Sequence, residues 1–229
     1  MRELVVDTET TGLDPLAGDR LVELACVELI NHIPTGQTFQ TYLNPERDMP
    51  PDAFAIHGLS AEFLADKPLF GVAAGKFLEF IAGDPLVIHN AEFDLKFINA
   101  ELATAGRALL PYTRVVDTLA MARRKFPGSP ASLDALCKRY SIDTARREKH
   151  GALLDAELLA QVYIELIGGR QPGLELAATA GAGLTTGAAA PGAASKRGAR
   201  PPRPHMPSAE ELAAHEAFVA ALADPIWRK

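Results

Sequence analysis

Cysteine is scarce in this 229-residue chain, with two in all, so a disulfide framework is excluded as the source of its stability. Cys26 lies inside "LVELACVELI" and Cys137 inside "SLDALCKRY". In such apolar periodic stretches an unpaired thiol serves as a small buried hydrophobe, and the chain reads as a cytoplasmic protein of a reducing compartment. No window approaches about 18 strongly apolar residues, and "MRELVVDTE" lacks the apolar core and small-residue cleavage site of an export signal, so neither a membrane span nor secretion is expected. A Cys/His cluster suited to zinc is missing as well. So is any surplus of positive charge: the formal net charge is −6, and residues 1–170 carry 17 Lys and Arg against 24 Asp and Glu. That excludes tight nonspecific adhesion to phosphate backbones through basic side chains. It does not exclude phosphate chemistry, because carboxylates that hold divalent cations present those cations to the substrate.

The length suits one domain of about 150 to 200 residues with a full core, and leaves a remainder. Composition shifts after "YIELIGGRQPGLEL". Residues 177–207, "AATAGAGLTTGAAAPGAASKRGARPPRPHMP", hold almost no large apolar side chains and cannot offset the entropy of ordering, so a disordered tail is expected there. Its first half is Ala/Gly-rich and its second is Pro-rich and basic. Ser208 then reads as a helix N-cap with Glu211 at the capping-box position, and Leu212, His215, Phe218, Val219 and Leu222 fall near one face of a short C-terminal helix.

Hydropathy within residues 1–170 predicts strands at 3–7, 20–30, 36–43, 86–89 and 114–117, with helices near 71–82, 92–105, 118–125, 132–140 and 151–167. Consecutive early strands joined by short turns imply an antiparallel meander, and the later strand-helix alternation implies parallel crossovers. The expected architecture is an α/β domain with a mixed five-stranded sheet flanked by helices.

The stretch "ELVVDTETTGLD" carries Asp7 and Glu9 out of the first strand. In a strand, residues i and i+2 share a face, so the two carboxylates project side by side, which is unfavourable unless a cation sits between them. Asp94 follows the strand of "LVIHNAEFDLKF" on the first turn of a helix, where an acid alone reads as a partner of the helix dipole. Asp155 in "KHGALLDAELLAQVYIEL" lies beside the core stripe Leu154, Leu158, Val162 and Leu166, on the margin of the buried face. Alone it reads as a cap or a surface charge.

Taken together and in order, these motifs resemble the DEDD exonuclease superfamily with its RNase H-like fold, over residues 3–168. His150, five residues before Asp155, marks the histidine branch, DEDDh. Within it, "VDTETTGL", "FAIHGLS", "VIHNAEFD", "KFPGSPASLDALCKRY" and "HGALLDAELLAQVY" are similar to the proofreading subunits of bacterial DNA polymerase III.

The resemblance implies a 3′–5′ exonuclease domain over residues 1–170 that uses two divalent cations, Mg²⁺ or Mn²⁺. Asp7 would bridge the ions, Glu9 and Asp155 would hold the one that binds the attacking water, and Asp94 would act through coordinated water. His150 would be the general base, on a loop that Gly151 lets move. Asp7, Glu9 and Asp155 also face the substrate, with loop histidine His57 on the terminal nucleotide and Asp52 reaching its sugar. The Thr10–Leu13 backbone would cradle the last base, with Gly12 permitting close approach. Gln171, Leu174 and Leu176 of "QPGLEL" resemble a sliding-clamp hexapeptide. Residues 177–207 would then be a linker and 208–229 a segment bound to the polymerase alpha subunit through Phe218 and Trp227, with a small accessory subunit as a further partner. An RNA-trimming exonuclease of the same superfamily and a silent scaffold bridging clamp and polymerase are the rival readings.

Overall fold

The computed structural model describes residues 1–145, 149–169 and 207–221. The clamp-like residues Gln171, Leu174 and Leu176, the linker up to residue 206, Leu222 and Trp227 lie outside them. The chain divides into two units, Met1–Leu176 and Ala177–Lys229. In the second, the helix Ala209–Ala221 begins with the expected reciprocal cap: Glu211 N–H donates to Ser208 Oγ (3.2 Å) and Ser208 N–H to Glu211 Oε2 (2.8 Å).

The first unit is built on five strands, β1 (Arg2–Thr10), β2 (Leu21–Ile30), β3 (Ile33–Tyr42), β4 (Leu86–Ile88) and β5 (Val115–Asp117), in the order β3-β2-β1-β4-β5. β1, β2 and β3 pair antiparallel, whereas β4 pairs parallel to β1 and β5 parallel to β4. The helices are α1 (Pro51–His57), α2 (Ala61–Leu64), α3 (Phe70–Ile81), α4 (Ala91–Thr104), α5 (Thr118–Lys125), α6 (Leu133–Tyr140) and α7 (Ala152–Leu166). The mixed sheet is as expected. The helices α1 and α2 are additions to a stretch read as loop. Pro51 at the first helical position and Gly58, left-handed at φ 73° just past the end, bracket α1 with the usual asymmetry, and Ser60 Oγ accepts from Phe63 N–H (3.1 Å) to start α2.

The period of two along β1 sorts its side chains between two cores. Leu4 and Val6 join Phe77 of α3 with Phe97 and Ile98 of α4, while Val5 meets Ala156, Leu159, Ala160 and Tyr163 of α7. Each fully buried Leu or Phe contributes about 1.5–3 kcal/mol relative to exposure, so the faces of β1 are fixed by many such terms. The same alternation carries polar residues to defined sides. Glu3, on the α7 face, accepts from Tyr163 Oη at 2.6 Å, and Thr8, on the α4 face, donates to Asp94 Oδ1 at 2.7 Å. Cys26 and Cys137 are both fully buried, as expected. Among the described residues no helix is long and apolar enough to cross a membrane.

Candidate active site

β1 runs three residues past the expected end, so Asp7 and Glu9 are both within the strand and on its α7 face. β4 parallel to β1 delivers α4, whose first turn holds Asp94, to the same end of the sheet. α7 crosses the other face and brings Asp155 on its first turn. Asp155 is only 3% exposed, deeper than the margin position its sequence suggested. Three segments far apart in the chain thus converge on one carboxylate cluster.

The electrostatics show the crowding. Burial pushes the Asp7 carboxyl well above its usual range, and the charges of Asp94, Glu9, Asp155 and Glu23 push it the same way. Asp94 is raised by burial against the opposing hydrogen bond from Thr8. One ligand atom each from Glu9, His150 and Asp155 lie within 4.8 Å of one another. Carboxylate donors gathered at unfavourable mutual distance fit a divalent cation, so the residues present suit such an ion.

His150 directs Nδ1 at Asp155 Oδ2 (3.1 Å), with its side chain 46% exposed. Its backbone N–H donates to Ile56 O at the end of α1 (3.2 Å), and the Lys149 ammonium stands 5.1 Å over the Phe54 ring. The unforeseen α1 is therefore the platform on which the His150 loop rests. Gly151 adopts φ −158°, extended backbone open to any residue, so the conformation gives no support to glycine as a hinge there.

His57 closes α1 rather than lying in a loop, and is buried. Its Nδ1 accepts from Leu59 N–H (3.0 Å), which leaves the proton on Nε2; burial holds its pKa below the usual value, with the Thr10 backbone opposing. Nε2 is buried without a hydrogen-bond partner of full geometry among the described residues. Asp52 is exposed on the first turn of the same helix. At Gly12 a Cβ would meet the Asp19 carboxylate at 2.3–2.5 Å, so the missing side chain makes room for Asp19. Asp19 in turn accepts from Asp14 N–H (3.1 Å) and pairs with Arg47 (2.7 Å).

Sequence reading missed Thr8, which restrains Asp94, and Glu23, which is 2% exposed on β2 opposite Glu9. An acid among apolar neighbours in "LVELACV" was the available signal for the second. For the first there was only its place between the two acids.

A protein-family model described as Exonuclease matches residues 4–163. The DNA polymerase III subunit epsilon of Rickettsia felis is 56% identical over 179 residues, spanning 77% of this chain and 78% of that protein. Its counterpart in Escherichia coli K12 is 46% identical over 176 residues, spanning 74% and 72%. Among solved structures, exonuclease X in complex with 5′ overhanging duplex DNA is 25% identical with a TM-score of 0.56, covering 72% of this chain and 90% of that one. The nuclease domain of 3′hExo, a DEDDh family member bound to rAMP, has a TM-score of 0.64 over 72% and 91%, and at 17% identity attests the fold alone.

Proposed function

The chain belongs to the DEDDh exonuclease family, in the branch of the DNA polymerase III epsilon subunits, and from that premise we propose how its residues carry out proofreading. It is a 3′–5′ exonuclease that removes mismatched nucleotides from DNA 3′ ends as 5′-mononucleotides. The observation that carries the residue assignments is the convergence of Asp7, Glu9, Asp94 and Asp155 from three segments, with His150 on Asp155.

In this reading Asp7, Glu9 and Asp155 would hold two divalent cations, Mg²⁺ or Mn²⁺, with Asp94, steadied by Thr8, in support. Bound there, the ions would lower the pKa of a water and neutralise the departing oxygen. His150 takes the proton of the attacking water, since its imidazole is half-exposed and lies beside Asp155. His57 offers its Nε2–H to the terminal nucleotide, Asp52 reaches toward the terminal sugar, and the Thr10–Leu13 backbone supports the last base. Cleavage is indifferent to sequence, and selectivity comes from the smaller cost of unstacking a mismatched end.

The substrate is a frayed or single-stranded DNA 3′ end, and the protein works in the cytoplasm. We assign residues 1–170 to the nuclease, 171–176 to the sliding clamp through Gln171, Leu174 and Leu176, 177–207 to a linker, and 208–229, with Phe218 and Trp227, to the polymerase III alpha subunit. A small accessory subunit is a further partner. Linkage of this kind keeps the nuclease at high effective concentration near the primer end without tight DNA affinity. A chain ending near residue 180 should lose co-purification with the polymerase subunit; retention would overturn that assignment. The catalytic reading is tested by mononucleotide release from a 3′-mismatched DNA primer and from matched RNA. Wild type should act on the DNA and stop in EDTA, and Asp7→Ala should be inactive; an active Asp7→Ala enzyme would refute the site.

A further inference from the structure

One carboxylate buried at the site has no part in the mechanism above. Glu23 stands on β2 directly across the ladder from Glu9, and both of its oxygens are engaged. Gln40 Nε2, on β3, donates to Oε1 at 2.7 Å and also reaches Tyr42 Oη at 3.2 Å. The backbone N–H of Ala152 donates to Oε2 at 3.1 Å, across 129 residues of sequence.

That second bond matters because α7 has no cap of its own. Its N-cap residue is Gly151, which offers no side-chain acceptor, although the first-turn N–H groups of any helix need partners. The first turn of α7 also holds Asp155, and His150 lies two residues before the helix, next to its N-cap Gly151. An acceptor fixed on the sheet beside Glu9 therefore sets where α7 begins relative to β1. Oε1 is tied to the Gln40 amide and Oε2 to the Ala152 backbone, so each carboxylate oxygen is held by a protein donor.

We propose that Glu23, held by Gln40, is a positioning residue for catalysis: it caps α7 from the sheet and so fixes Asp155 and His150 against Asp7 and Glu9. The inference rests on the roles proposed for Asp155 and His150. It predicts that the acceptor oxygen, not the negative charge, is what the site requires. Glu23→Gln keeps an oxygen for Ala152 N–H, and Gln40 can turn its amide to match; Glu23→Ala keeps neither.

The experiment compares full-length wild type, Glu23→Gln, Glu23→Ala and Gln40→Ala, with Asp155→Asn as a control for the underlying reading. Steady-state cleavage of a single-stranded DNA 3′ end is measured together with Mn²⁺ binding by electron paramagnetic resonance and amide exchange of the first turn of α7. Glu23→Ala should lower kcat about tenfold to a hundredfold with KM little changed, the scale of a catalytic group displaced by about 1 Å. It should also weaken Mn²⁺ binding and speed exchange at Ala152 and Leu153 about tenfold. Glu23→Gln should stay within about threefold of wild type in all three, and Gln40→Ala should fall between. Should Glu23→Ala not fold, Gln40→Ala carries the test. Wild-type kcat and exchange in Gln40→Ala or Glu23→Ala would overturn the proposal. So would Glu23→Gln as inactive as Glu23→Ala with α7 still protected, since the charge itself would then be in use. An active Asp155→Asn would instead strike the catalytic reading beneath it.

Discussion

Replacing Asp7 by Asn should make the metal-free protein more stable while abolishing its activity. Asp7 is the centre of the cluster: burial, then the charges of Asp94, Glu9, Asp155 and Glu23, hold its pKa well above the ordinary 3.8. A folded-state pKa above the unfolded value means that the folded protein binds the proton more tightly. The contribution of Asp7 to stability is therefore most favourable below about pH 4, falls as the pH rises toward the raised pKa, and stays reduced above it. Asn keeps nearly the same shape and carries no charge, so the variant escapes that loss. Relief of buried like-charge repulsion of this kind is worth about 1–3 kcal/mol. At about 2–4 °C per kcal/mol for a chain of this size, Tm should rise by several degrees. The assay is thermal unfolding in EDTA from pH 4 to pH 8, repeated with saturating Mn²⁺. The gap between variant and wild type should open as the pH rises from about 4. With the ion present, wild type gains about 2.7 kcal/mol at a hundredfold excess over Kd and the gap should close or reverse, because the variant lacks the ligand. A variant less stable than wild type in EDTA at pH 7 would refute the reasoning, since the cluster would then be held by contacts rather than strained by charge.

His150→Ala should lose about two orders of magnitude in rate while Mn²⁺ binding persists; wild-type turnover in that variant would remove His150 from the mechanism. Gly12→Ala should lower activity and Tm together, as its new methyl would displace the Asp19 carboxylate that ties Asp14 and Arg47 to the loop, a change read by cleavage assays and calorimetry. Lys149→Ala removes the cation from the Phe54 ring, worth about 0.5–1 kcal/mol at an exposed site, and should lower kcat about two- to fivefold without raising KM. An unchanged kcat would mean that the backbone bond from His150 to Ile56 suffices to seat the loop.

What the sequence made legible, and what it hid, follows from the range over which each interaction acts. The paired carboxylates of β1 were readable because a period of two is a local property: Val5, Asp7 and Glu9 must share a face whatever the strand packs against. Asp94 and Asp155 were readable as first-turn residues, again a local matter, and the motif order supplied their convergence. Glu23 looked like one more strand residue because its partners are Ala152, on a helix 129 positions away, and Gln40, on a neighbouring strand; no window includes them. The helix α1 failed for the opposite reason. Its signals, Pro51 at the start and Gly58 at the end, were local and present, but seven residues are too few for a hydrophobic period to emerge. At Gly12 sequence tells that a side chain is absent, and not that the Asp19 carboxylate fills the space. The residues that escaped local reading, Glu23 and α1, are those that set the distance between the His150 loop and the strand acids. If that distance limits the rate, cutting Glu23 and Lys149 together should cost more than the product of the single effects, because each cut leaves the start of α7 leaning more on the other. A strictly multiplicative double variant would show that the two restraints act on separate steps.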